Sequence, residues 1–200
     1  EELSDKEIQE QGLSDEIRQA EERFLPLHLK YTLQRTGYWG AVRVVPEANN
    51  AHLLVRGHIK HSDGEHMALE VEAVDARGVK WFKKTYSETL RLAEHSRTVP
   101  GEKDSFQDIY NTIANDLAIF RSGLTAEDYR EIGHVSELRF AKDMAPDAFA
   151  HYLGMDDEGR YQLQRLPVED DPMLERVRAV RVRDDMLIDT INGNYDVDYN

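Results

Sequence analysis

The chain has 200 residues, 40% of them hydrophobic, with 39 acidic against 25 basic side chains and a formal net charge of −14. That charge argues against general nucleic-acid binding and against an anionic membrane surface, and it suits a soluble protein that docks on other proteins. The absence of cysteine excludes disulfides, cysteine–zinc centres and cysteine nucleophiles, and no apolar run approaches the ~18 residues that span a bilayer.

Residues 1–13 are polar and acidic and read as a flexible lead. They begin Glu1-Glu2-Leu3 with no methionine, so a processed or upstream segment is expected; no signal peptide is visible. Ser14, followed by Asp15 and Glu16, starts a helix, although Ile17 three residues on leaves the capping box incomplete. Ile17, Ala20, Phe24, Leu25, Leu29 and Leu33 recur at helical spacing. Pro26 predicts a kink or two abutting helices, and Thr36-Gly37 predicts the end, with Gly37 in the cap. Tyr38-Trp39-Gly40 leads into a short strand over 41–46, and residues 47–50 form a turn.

Residues 52–88 predict three antiparallel strands. Leu53, Val55, Gly57 and Ile59 alternate with Leu54, Arg56, His58 and Lys60. Met67, Leu69, Val71 and Ala73 alternate with Ala68, Glu70 and Glu72, the period of a half-buried strand. A three-residue loop Ser62-Asp63-Gly64, with Gly64 left-handed, pairs residue 61 with 65 and keeps apolar face against apolar face. A second such loop, Ala76-Arg77-Gly78, pairs 75 with 79 and brings Trp81 opposite Ala73 on the buried side; a four-residue loop would bring Phe82 inside instead. The two three-residue loops together align Arg56, Glu70 and Lys84 in a charged row on the exposed side.

Residues 93–105 form a loop containing Pro100 and Gly101. Asp104 or Ser105 caps a helix to about Arg121, whose stripe of Phe106, Ile109, Ile113, Leu117 and Phe120 predicts packing on the sheet beside the first helix. Gly123 ends it. Thr125 caps a helix that runs to Met144, and Pro146 opens a short one to Leu153. A polar turn spans 154–159, and 161–167 is irregular or briefly extended. Pro172 opens a last helix, about Met173 to Ile191, with Leu174, Val177, Val180, Leu187, Ile188 and Ile191 apolar and Asn192-Gly193-Asn194 stopping it. The fold class is α+β: an antiparallel or mixed sheet with a three-stranded meander packed by two helices, plus a C-terminal helical extension. The domain reading is 1–13 flexible lead, 14–123 α/β body and 124–200 extension.

No motif names a chemistry. His52, His58, His61 and His66 cluster in or beside one hairpin, but Arg56 and Lys60 share the face of His58, and a metal needs ligands converging within ~2 Å of one point; these read as surface histidines. The acidic runs 156–158 and 169–171 do not fit a calcium loop. The nucleophile elbow, the P-loop and the dinucleotide glycine fingerprint are missing. The expectation is therefore no catalytic residue, no metal and no cofactor. Tyr38, Trp39, Trp81 and Phe82 serve either as core and sheet-edge packing or as an exposed patch for a partner.

Leu33-Gln34-Arg35-Thr36-Gly37 ends a helix and Val42-Arg43-Val44-Val45-Pro46 follows. Leu53-Leu54-Val55-Arg56-Gly57-His58-Ile59, then Leu69-Glu70-Val71, then a hairpin with Asp75, Gly78 and Trp81 at Asp-x-x-Gly-x-x-Trp spacing complete the order. Over residues 15–121 this resembles the N-terminal domain of TolB-like proteins, a module shared with the curli-secretion lipoprotein, the lipoprotein activators of penicillin-binding proteins and polysaccharide-export lipoproteins. The family opens with a strand before its first helix, which residues 1–13 do not supply, and residues 124–195 have no counterpart in it. The resemblance implies a non-enzymatic protein of a Gram-negative envelope, periplasmic or outer-membrane anchored. It would bind envelope proteins or itself, bind no nucleic acid, and meet the membrane only through a lipid anchor outside this chain. Trp39, Arg56, Phe82 and Tyr86 are the expected partner-binding residues. The alternative is a cytoplasmic hydrolase or regulatory domain with a metal or acid–base site in the His58–His66 hairpin.

Overall fold

The computed structural model describes residues 15–45, 50–63, 65–89 and 106–198, with the side chains of 15–21 and 194–198 left aside. The expected lead over 1–13, the caps at Ser14, Asp104 and Ser105, the turn over 47–49, the conformation of Gly64 and the loop over 93–105 lie outside the described residues.

The architecture is α+β, as the sequence predicts. Helix α1 is Asp15–Thr36; strands β1 Leu53–Ser62, β2 His66–Asp75 and β3 Lys80–Thr89 follow, then α2 Gln107–Ser122, α3 Ala126–Met144 and a short α4 Pro146–Phe149. A 3-10 turn Ala150–Tyr152 leads into β4 Leu153–Met155 and β5 Tyr161–Leu163, and α5 Pro172–Asp198 closes the order. One sheet has the order β1-β2-β3; β4 and β5 make a second, two-stranded antiparallel sheet in which Gly154 pairs with Gln162. The chain divides into two compact units, one taking Glu1–Val42, Arg56–Glu72 and Phe82–Ser122, the other Arg43–Val55, Ala73–Trp81 and Gly123–Asn200. The three-stranded sheet thus contributes to both.

In the first unit, α1 stays one helix through Pro26 rather than breaking into two. Its buried side chains are Leu25, Leu27, Lys30, Thr32 and Leu33, whereas Phe24 faces solvent. Gly37 takes φ +68° and the Thr36 hydroxyl donates to the Leu33 carbonyl at 2.7 Å, which closes the helix as expected. On α2, Ile109, Tyr110, Ile113, Ala114 and Leu117 are buried, and this helix packs against α1.

β2 alternates strictly, with Met67, Leu69, Val71, Ala73 and Asp75 buried. β3 does not. Trp81 is buried at an odd position and Tyr86 at an even one. The alternation slips by one residue between them, the mark of a bulge.

The second unit is built on α3. Thr125 and Asp128 form a reciprocal capping box at its start. Ile132, Val135, Leu138, Phe140 and Ala141 pack with Phe149, Tyr152, Leu153, Leu174, Val177 and Ala76. Each fully buried Val, Leu, Ile or Phe side chain among them stabilises by about 1.5–3 kcal/mol. The turn Ala76–Gly78 enters this core as the predicted three-residue loop, with Gly78 at φ +86° and the Asp75 N–H donating to the Val79 carbonyl at 3.0 Å.

Two expectations fail here for one reason. Residues 41–45 form no strand, and α5 does not stop at Asn192. The Asn192 side chain accepts from the Val44 N–H at 2.9 Å and donates to the Val44 carbonyl at 3.0 Å. Those are the backbone groups a sheet ladder would have used, and the same contact occupies the side chain that would have capped the helix.

Candidate interaction surface

β1 and β3 are the two edges of the three-stranded sheet. On β1, Arg56, His58 and Lys60 are exposed and share one side of the strand. Arg56 and His58 make no hydrogen bond or ion pair among the described residues. Lys60 reaches Glu70 at 3.6 Å, and Lys83 on β3 reaches the same carboxylate at 3.2 Å. The hydrogen bond from Lys83, then the charge of Lys60, holds the Glu70 carboxyl below its ordinary range. The charged row is therefore Lys60–Glu70–Lys83, not Arg56–Glu70–Lys84. The bulge turns Lys84 the other way, onto Asp116 of α2 at 2.7 Å. Behind the row, Ile59 is only half-buried, and a side chain added at Gly57 would meet nothing within 4 Å. Among the described residues the edge is long and cationic, and no further strand pairs with it.

The four residues expected to bind a partner are not equivalent. Arg56 is exposed, and Phe82 and Trp39 are half-buried. The Arg121 guanidinium lies 5.7 Å from the Trp39 ring centroid, while Tyr38 beside it is 60% exposed. Tyr86 is buried, and its hydroxyl donates to Asp116 at 2.7 Å. Burial, followed by the Asp116 carboxylate, pushes its phenol up. The exposed-face expectation for Tyr86 is thus corrected: a straight count of alternate residues along β3 runs across the bulge and inverts its side.

At the β1–β2 turn, the His61 Nε2 stands 2.9 Å and the His66 Nδ1 3.3 Å from Asp63 Oδ2. Asp63 Oδ1 accepts the N–H groups of Glu65 and His66 at 3.0 and 2.7 Å, so this carboxylate builds the turn. The His61 contact, then the His66 N–H, holds it well below the usual carboxylate range. Among the described residues no group of three or more His, Cys, Asp or Glu is arranged to hold a metal ion. His52 belongs to the other unit; burial, then the nearby Arg181, lowers its pKa.

Several apolar side chains of α5 are exposed. On α5, Leu174 and Val177 face the core, but Leu187 and Ile191, read from the sequence with them, are 61% and 44% exposed. They join Val182 at 51% and Met186 at 63%. Helical spacing holds the signal: at ~100° per residue, Val182 lies about 140° and Met186 about 180° round from Val177. No helix among the described residues is long and apolar enough to cross a membrane.

No family model matches this chain, and no curated protein and no solved structure is significantly similar to it.

Proposed function

We propose that the protein is a non-enzymatic docking or assembly module that binds other proteins through its exposed surfaces. The observation that carries this reading is the open β1 edge, with Arg56, His58 and Lys60 along it in a chain of net charge −14. A free edge binds an extended segment through backbone hydrogen bonds, and side chains on alternate positions select it. Here the cations oppose a second copy of β1, since like charges would stand opposite one another, and favour an acidic strand. The placement in a Gram-negative envelope, periplasmic or lipid-anchored, rests on the TolB-like order of elements in residues 15–121 and belongs to the same proposal.

The test is a photo-cross-linking residue at position 58 in intact cells, with cell fractionation and palmitate-analogue labelling alongside. The reading expects an adduct with one defined acidic protein of the same compartment, lost in Arg56→Glu while the circular dichroism is unchanged. Absence of any adduct, together with stoichiometric metal in the gently purified protein, would overturn it in favour of a hydrolytic or regulatory site at His58–His66. A cytoplasmic location would remove the envelope assignment alone.

A further inference from the structure

We infer that the β1 edge takes, as an added strand, residues 195–199 of a second copy of this chain. The inference rests on the docking role of that edge and names its partner. Tyr195-Asp196-Val197-Asp198-Tyr199 alternates acidic residues with aromatic or β-branched ones, the period and composition of a half-buried strand. β1 alternates in the same way with the opposite sign. Arg56, His58 and Lys60 stand on its exposed side, and Val55 and Ile59, both half-buried, stand on the other. Arg56 and His58 make no ion pair among the described residues. Set antiparallel with Val197 opposite Gly57, the segment puts Asp198 opposite Arg56 and Asp196 opposite His58. Residues directly opposite share a face of the sheet, so Tyr195 falls beside Ile59 on the apolar side. A Cβ at Gly57 would meet nothing within 4 Å, which leaves room for the branched side chain of Val197. Lys60 already reaches Glu70 at 3.6 Å and needs no third acid.

The single chain shows why the segment comes from another copy. There α5 is helical through Asp198, and β2 alone pairs with β1 among the described residues, so the edge does not hold the segment of its own chain. The end of α5 is also its weakest part. Asn192, Gly193 and Asn194, and the Asp and Val residues after them, are among the weaker helix formers. Asp196 and Asp198 lie at the C-terminal end, where the helix dipole favours cations, and the last turn has no basic residue. The Asn192 side chain fixes the helix to the Val44 backbone before that point. Unwinding beyond Asn192 therefore leaves this anchor in place, and the freed backbone groups are satisfied again by the sheet. A second β1 would set cation against cation, and an uncharged strand would leave Arg56 and His58 without an acid. Each copy carries one donor segment and one acceptor edge, so the contact is heterologous and builds rings or longer chains. A strand this short pairs weakly, which makes the association reversible and dependent on concentration.

Sedimentation equilibrium of the unmodified chain is expected to show reversible, concentration-dependent association. Two charge-reversed chains identify the occupant: one carries Asp196→Lys with Asp198→Lys, the other Arg56→Glu with His58→Glu. Each alone should associate about tenfold more weakly than the parent. Their mixture should recover the parent's association, because the lysine segments of one then meet the glutamate edge of the other; recovery also shows that both variants are folded. The chain has no cysteine, so introduced thiols report the register. A Gly57→Cys chain mixed with a Val197→Cys chain under mild oxidation is expected to form a disulfide-linked heterodimer. A monomer at every concentration, association that ignores both reversals, or a mixture that does not recover would each overturn the inference. So would a monomer carrying both cysteines that closes the disulfide within one chain. An adduct at position 58 with a different acidic protein, in a chain that sediments as a monomer, overturns this inference and leaves the docking role of the edge standing. Failure to form any adduct at position 58 removes that role, and this inference with it.

Discussion

Removing the Asp75 carboxylate is the sharpest test of how the second unit is held together. Asp75 is 2% exposed and accepts from the Arg77 N–H at 2.9 Å, Arg77 Nη2 at 2.9 Å, Arg77 Nε at 3.2 Å and Trp81 Nε1 at 3.2 Å. Arg77 reaches on to Asp128 at 2.8 Å and Glu131 at 3.0 Å, which ties the β2–β3 turn to the first turns of α3. Burial by itself would lower the Arg77 pKa; the hydrogen bonds it donates to Asp75, Asp128 and Glu131 more than offset it and hold it above the ordinary arginine range. Asp75→Ala removes the carboxylate to which the Trp81 indole donates and leaves a desolvated guanidinium with its two outer, partly exposed carboxylates. Breaking a buried pair from one side costs about 3–5 kcal/mol. Asp75→Asn keeps the shape and one acceptor oxygen and should cost about 1–2 kcal/mol. The assay is urea unfolding followed by Trp81 fluorescence in a Trp39→Phe background, since Trp39 belongs to the other unit. In a thermal scan the alanine variant should lose about 6–20 °C, taking about 2–4 °C per kcal/mol for a chain of this size. If Asp75→Ala stays within about 1 kcal/mol of the parent, or if Asp75→Ala and Arg77→Ala simply add, the pair is not coupled and the reasoning fails.

Gly78→Ala should destabilise by about 1–2 kcal/mol in the same urea titration, because φ is +86° and the new Cβ would meet the Arg160 backbone at 3.4 Å. Ser136 is fully buried and donates to the Asn50 carbonyl at 2.5 Å, but Arg181 also reaches that carbonyl at 2.8 Å. Ser136→Ala should therefore cost only about 1 kcal/mol, and Ser136→Val, which overpacks the site, more than that. The Thr125 hydroxyl, then Arg77, holds the Asp128 carboxyl well below its usual range. A depressed carboxylate contributes stability above its unfolded pKa of about 3.9 and loses it as pH falls toward the folded value. Hydrogen-exchange protection of the first turn of α3 should accordingly fall below about pH 4, and Asp128→Asn should remove that dependence while lowering protection at neutral pH.

The sequence reading succeeded wherever a local rule had no competitor. Alternation of Met67, Leu69, Val71 and Ala73, the glycine at position 78 and the single stripe of α2 each follow from period and turn chemistry alone. It failed where a contact distant in sequence replaced a local preference. Val42, Val44 and Val45 have the composition of a strand, yet the backbone at Val44 is taken by a side chain 148 residues away. Tyr86 failed differently. The slip between Trp81 and Tyr86 coincides with the point where β3 passes from one compact unit to the other, between Trp81 and Phe82, and no residue in Phe82-Lys83-Lys84 announces it.

Helix α5 carries apolar residues outside its buried stripe. One buried face of a helix takes residues at i, i+3 and i+4 spacing. Leu174, Val177 and Ile188 meet that rule, and their face needs no further apolar residues on the opposite side. Val182 stands about 80° and Met186 about 120° round from Leu174, and both are exposed, at 51% and 63%. An isolated exposed apolar residue means little. Val182, Met186, Leu187 and Ile191 are all exposed. A count of apolar residues along α5 therefore overstates its buried face: Leu187 and Ile191, about 80° and 40° from Val177, sit at its margin and stay exposed.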